Sequence, residues 1–157
     1  MEIRNATPDD YSPIISVLND WWGGRQMSDM LPKLFFVHFR DTSFVVTEND
    51  QIAGFLIGFL SQTFANEAYI HFVGVHPDFR KRGVGKMLYE RFFEVVRQHD
   101  RHIVRCVTSP VNRTSIAFHT QMGFVAESGT LVSESGVPAS PNYDGAGEHR
   151  VRFVKEI

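Results

Sequence analysis

The sequence predicts a mixed α/β (α+β) fold: a central, mostly antiparallel sheet of about six to seven strands flanked by about four helices. Three observations predict it. Short alternating or continuously apolar runs recur at 3–6, 43–48, 51–61, 67–75, 103–108, 124–132 and 151–154, as strands do. Asn49-Asp50 between the second and third runs is a hairpin signal, which makes those strands antiparallel neighbours. Between other runs lie segments with apolar residues three and four apart, the period of a helix with one buried face.

In chain order, Ile3 to Ala6 reads as a short edge strand. Thr7-Pro8-Asp9-Asp10 comes next as an N-cap candidate, a proline at the first helical position and acids in the first turn. The helix it starts carries Tyr11, Ile14, Ile15 and Leu18 on one face and ends near Asp20. Trp21-Trp22-Gly23-Gly24-Arg25 interrupts it, and a second helix is expected from Ser28, with Leu31, Leu34, Phe35 and His38 at helical spacing and Pro32 early enough to be tolerated. After the hairpin, Glu67 to Val75 is a third antiparallel strand. A helix over Val84 to Gln98 buries Val84, Leu88, Phe92, Val95 and Val96. Ile103 to Thr108 is a strand, Pro110 a break, and Asn112 caps a helix that closes at Gly123. Strands over Phe124 to Val132 and Val151 to Val154 complete the sheet. The loop from Ser133 to Gly147 is rich in Ser, Pro, Gly and Asn and longer than packing requires, which suits a mobile flap or a homodimer contact.

Composition bounds the function. A chain of 157 residues with 43% hydrophobic content is one domain with a real core, spanning 1–157, and not a disordered segment. A formal net charge of -2 gives no global pull toward nucleic acid. No apolar run is long enough to span a bilayer, and Met1-Glu2-Ile3-Arg4 lacks an apolar signal region, so no membrane association and a cytoplasmic location are expected. The single cysteine, Cys106, excludes an internal disulfide, has no Cys/His constellation around it that would hold a metal, and lies in an apolar strand as a small buried thiol would.

The stretch with the most chemistry is His76-Pro77-Asp78-Phe79-Arg80-Lys81-Arg82-Gly83-Val84-Gly85-Lys86, a strand end, a turn and a helix start. The first turn of a helix has N–H groups without partners and partial positive charge, so it binds anions. Gly83 and Gly85 remove Cβ atoms that would keep a phosphate oxygen away, and Arg80, Lys81, Arg82 and Lys86 add full charges. A diphosphate is the natural guest. The stretch is not a Walker A loop, since Arg80 stands at its first glycine and Met87 at its magnesium-binding hydroxyl. Nor is it a dinucleotide fingerprint, since Leu88 stands where a small residue is required.

Arg80-x-x-Gly83-x-Gly85 after a strand, together with a strand, Asn112 and a helix closing in Gly123-Phe124, resembles the GCN5-related N-acetyltransferase (GNAT) family over residues 68 to 125. The resemblance implies the GNAT fold, with the sheet splayed between its fourth and fifth strands to receive the pantetheine arm of acetyl-CoA. It implies an N-acetyltransferase passing an acetyl group to a primary amine by direct attack in a ternary complex. The expected acceptor is a small molecule, with a protein or peptide amine or a non-catalytic CoA-binding module as alternatives. Coenzyme A would be held by Arg80, Lys81, Arg82, Gly83, Val84, Gly85, Lys86 and Asn112. The Val73-Gly74-Val75 region would offer the backbone N–H that receives the developing oxyanion. Many members carry a Tyr as thiolate acid four residues before Gly-Phe, and here that position is His119, which could donate a proton or be a helix residue only. Glu67 and His71 are candidate bases, on a strand face that a period of two extends through Tyr69, Val73 and Val75. Trp21, Trp22, Arg25, Tyr69 and Tyr143 are candidates for the acceptor wall.

Overall fold

The computed structural model describes residues 1–157. Nine strands form in chain order: β1 (Glu2–Asn5), β2 (Phe44–Glu48), β3 (Gln51–Leu60), β4 (Glu67–Val75), β5 (Ile103–Thr108), β6 (Val125–Ala126), β7 (Leu131–Val132), β8 (Pro138–Ala139) and β9 (Val151–Glu156). Four helices accompany them: α1 (Tyr11–Trp21), α2 (Leu34–His38), α3 (Val84–Gln98) and α4 (Arg113–Gln121). Seven strands make the main sheet in the order β1-β2-β3-β4-β5-β9-β6, and β7 with β8 makes a separate hairpin. All main-sheet pairs are antiparallel except β4 with β5.

Two apolar clusters hold the layers. On one face α3 and α4 pack over the sheet through Leu88, Tyr89, Phe92, Val96, Ile116 and Phe153. On the other, α1 and the α2 region cover β1 to β4 through Ile14, Leu18, Leu31, Phe36, Phe55 and Phe72. Their buried side chains remove much apolar surface from water, at about 1.5–3 kcal/mol for each large side chain.

The second helix is shorter than its spacing suggested. Ser28–Met30 is one 3-10 turn, Leu31 leaves the helical region at φ -131° and ψ 67°, and α2 begins only at Leu34. Pro32 is the cause, because its ring excludes the helical conformation from the residue before it. The expected strand over Phe124 to Val132 is also divided: two residues pair with β9, and the chain then leaves for the β7–β8 hairpin. The 133–147 segment is correspondingly less loose than its composition suggests, since Ser133 caps the Val137 N–H and Arg150 pairs with Asp144 and Glu148.

A β-bulge in β4 overturns the single face expected for that strand. Ile57 pairs with Phe72 and the next residue, Gly58, pairs with Ile70, so His71 has no partner. The extra residue reverses the alternation. Val73 and Val75 therefore pack on the α3 side, whereas Phe72 and Gly74 join Tyr69 on the α1 side.

Candidate active site

The glycine-rich turn has the backbone an anion requires. Gly83 caps α3 with φ +81°, in the left-handed region that costs other residues energy, and Lys81 also has positive φ at 61°. The first helical bond runs from Met87 N–H to Gly83 O at 3.0 Å, which leaves the N–H groups from Lys81 to Lys86 without a backbone acceptor. A Cβ on Gly83 would meet nothing within 4 Å, so the turn is open to solvent, whereas one on Gly85 would lie 3.2 Å from the Phe118 ring of α4. Gly85 thus also serves helix packing. Val84 is buried, so only its backbone faces the turn.

The basic side chains have divided duties. Of the four, Lys81 alone has no side-chain partner. Arg82 pairs with Glu48 at 3.2 Å and lies over the Phe79 ring, and Lys86 reaches Glu90 at 3.8 Å; these are exposed pairs that a stronger anion can replace. Arg80 turns away from the helix start and donates from Nη2 to the Trp21 carbonyl at 2.6 Å. Asn112 accepts from the Ser115 N–H at 3.1 Å and is occupied as the cap of α4.

Beside this turn the sheet opens. β5 pairs with β4 only from Glu67 to Tyr69, and the rest of β4 has no neighbour on that edge. His76 N–H bonds to Ala53 O at 2.9 Å on the β3 side, so by ladder alternation Val73 and Val75 direct their N–H and C=O groups into the gap. These residues fit a diphosphate-bearing donor with an extended arm: an open turn of free N–H groups leads to a strand edge of free N–H and C=O groups.

On the α1 face the apex of the gap carries tyrosines and charge. Tyr69 and Tyr143 line one small pocket with Arg105, Glu127 and Arg152. Burial pushes the Tyr69 phenol above its usual range, so it stays a neutral donor. Arg105 donates to both Glu67 and Glu127, and the Arg152 guanidinium lies 5.1 Å over the Tyr143 ring. Glu67 is therefore half of an ion pair, a poor state for a free base. Sequence reasoning missed Arg105, Glu127 and Arg152; a charged residue inside the apolar run of β5 was the available signal.

His71, at the bulge, is better placed for proton transfer. Its Nε2 lies 2.6 Å from the Met30 carbonyl, which must accept, so Nε2 carries the hydrogen and Nδ1 keeps its lone pair. The ring stacks on Phe35 at 4.3 Å, and burial lowers its pKa from 6.5 despite the Met30 bond. Neither Phe35 nor Met30 carried a sequence signal, since one is an apolar helix residue and the other acts through its backbone.

The remaining candidates separate. Trp21 is only 7% exposed and packs on Phe55 and His76, so its ring is core, not wall. Trp22 is half-buried against Phe72 and over Gly74, on the α1 face of the sheet. Arg25 is exposed and unpaired. His119 lies in the α3–α4 cluster at 7% exposure, stacked on Phe153. Its Nδ1 hydrogen is given to the Ser115 carbonyl at 2.7 Å and its Nε2 accepts from the Tyr89 hydroxyl at 2.7 Å, so no N–H is free to reach a thiolate. Burial lowers its pKa and keeps it neutral. Cys106 is 3% exposed, and burial raises its thiol pKa, so it is no nucleophile.

A sheet opened between two parallel strands, beside a glycine-rich helix start with free N–H groups, defines an architecture built for an acyl-CoA donor. The sequence matches the model of the acetyltransferase (GNAT) family over residues 8–124. The chain belongs to that family, an enzyme class that takes its acetyl group from acetyl-CoA. It is 28% identical over 134 residues to the uncharacterised N-acetyltransferase MJ1207 of Methanocaldococcus jannaschii, a match covering 78% of this chain. The chain spans 59% of that relative's length. Among solved structures it resembles the ribosomal-protein-alanine N-acetyltransferase of Brucella melitensis, with TM-score 0.69, 20% identity and 100% of each chain covered. It also resembles the Salmonella typhimurium protein yncA, solved with its cofactor acetyl-CoA, with TM-score 0.69, 20% identity and 99% and 93% coverage. No helix is long and apolar enough to cross a membrane.

Proposed function

We propose that the chain transfers the acetyl group of acetyl-CoA to the primary amine of a small molecule, by direct attack with both substrates bound. One observation carries this reading: the β4–β5 gap has free backbone donors on its β4 edge and a Tyr69–Tyr143 pocket at its apex. Acetyl-CoA supplies the activated acyl group. The N–H groups of Lys81 to Lys86, with the Lys81 charge, hold the diphosphate. The N–H groups of Val73 and Val75 align the arm and receive the negative charge that develops on the acetyl oxygen. Nδ1 of His71 takes the amine proton, because its lone pair is free and its tautomer is fixed by Met30. Tyr69 and Trp22, both half-buried, give apolar surface that lowers an amine's pKa, and the exposed Tyr143 under Arg152 forms the rim. The thiolate proton comes from solvent, since His119 has no free N–H.

A peptide acceptor is the second reading. An open groove lined by Val37, Phe39, Phe59 and Leu60 runs beside α2, and one structural neighbour is named for a ribosomal protein substrate. A panel of small amines and N-terminal peptides incubated with acetyl-CoA, read as free thiol and acetylated mass, tests both. Turnover with small amines above peptides supports the first reading, turnover with peptides alone supports the second, and thiol release with neither rejects transfer.

A further inference from the structure

We infer that Arg80 is a positioning residue that latches the acceptor wall to the donor turn, and is not a ligand of the diphosphate. Its guanidinium makes two bonds, both away from the helix start: Nη2 to the carbonyl of Trp21 at 2.6 Å and Nε to the carbonyl of Val75 at 3.4 Å. Trp21 is the last residue of α1, where carbonyls lack helical partners and the helix carries partial negative charge. Arg80 therefore closes the C-terminal end of a helix fifty-nine positions earlier in the chain. α1 has no basic residue in its own last turn, and Arg80 is the side chain that bonds the Trp21 carbonyl.

The latch sets the position of the residue after Trp21. Trp22 leaves the helix and lays its ring against Phe72, with centroids 5.1 Å apart. A Cβ on Gly74 would come within 3.1 Å of that ring, so the indole rests directly on the β4 backbone between Val73 and Val75, whose N–H groups face the gap. Trp21 wedges against His76, and His76 caps the turn that ends in Arg80 by accepting from the Asp78 N–H. The end of α1, the bulged half of β4 and the glycine turn thus form one closed unit tied by one side chain. By taking the Val75 carbonyl, Arg80 also leaves the Val73 and Val75 N–H groups and the Val73 carbonyl as the free polar groups of that edge, two donors to one acceptor.

The inference rests on the donor reading of the glycine turn, and the two fail differently. Arg80→Ala and Arg80→Lys are compared with the unaltered chain in two measurements: CoA affinity by calorimetry, and acrylamide quenching of tryptophan emission. Quenching reports Trp22, since Trp21 is buried. Arg80→Ala is expected to raise the quenching constant about twofold or more while CoA affinity changes by less than about threefold, and Arg80→Lys, with one ammonium for the Trp21 carbonyl, is expected to fall between. If Arg80→Ala does not fold, Arg80→Lys alone decides by the same two readings. Unchanged quenching with CoA affinity reduced about tenfold would make Arg80 a phosphate ligand and overturn the inference. Absence of CoA binding by the unaltered chain would overturn the reading of the turn itself.

Discussion

Tyr69 and Arg105 are the last partners that β4 and β5 share before the strands part. Tyr69 lines the small pocket at the apex of the gap, and Arg105 anchors charge there, because it holds Glu67 from β4 and Glu127 from beyond β6. The apex of the gap is therefore fixed by ion pairs as well as by the ladder. Replacing Arg105 by Met leaves the half-buried Glu67 without its cation and Glu127 with Arg152 alone, and is expected to cost about 1–3 kcal/mol once partial exposure is allowed for. Urea unfolding measures it, and a change below about 0.5 kcal/mol would make the network ornamental.

His119 and Tyr89 are expected to matter to stability and not to proton delivery. His119→Ala removes a stacked ring and leaves the buried Tyr89 hydroxyl without its acceptor, a loss of about 2–4 kcal/mol. At a temperature where both proteins are folded, kcat should fall less than about fivefold. A fall of about a hundredfold in kcat with unchanged stability would restore the acid role that the Tyr position of the family suggests.

A buried histidine, His119, and a half-buried one, His71, give stability a pH dependence. Burial lowers the pKa of both His71 and His119 below 6.5, so between the folded value and 6.5 the unfolded chain binds more protons than the native one. Stability from this source is complete above about pH 6.5 and is lost as pH falls through the folded values. Thermal melts between about pH 7.5 and 5 should show the decline, and His119→Gln should flatten part of it. A melt that is level over this range would contradict the neutral state of both rings in the fold.

Much of this fold was legible in the sequence, and the exceptions have identifiable causes. Apart from the divided Phe124 to Val132 run, the strands, the helix starts at Thr7-Pro8 and Asn112 and the glycine turn are local signals, and they lie where the sequence pattern put them. The β4 bulge was not legible, because Glu67 to Val75 alternates in burial throughout and only the pairing with β3 shows that His71 is extra. Arg80 could be read as a cation but not aimed, since its partner is a backbone carbonyl from a distant helix. Trp21 and Trp22 were indistinguishable neighbours, and the end of α1 sends one into the core and lays the other, half-buried, against Phe72.

His71 is expected to carry the base role. His71→Ala should lower kcat/KM for the best amine by about 10²-fold, within the usual range for general-base loss. In the unaltered chain kcat/KM should fall on an acid limb below about pH 6.5, since burial holds the ring neutral above it. A flat profile with an active His71→Ala protein would mean that the amine arrives already deprotonated.

The turn at Gly83 is expected to bind the donor through its backbone, and the rest of the site depends on that placement. Gly83 sits at φ +81° with nothing within 4 Å of where a Cβ would lie, so Gly83→Val strains and blocks the turn without entering the core. Calorimetric titration of CoA into the unaltered chain and into Gly83→Val tests this most directly. The expected result is binding by the first and a loss of about tenfold or more in the second, with both melting as cooperative folded proteins. Equal CoA affinity in the two would place the donor elsewhere and contradict a backbone-held diphosphate.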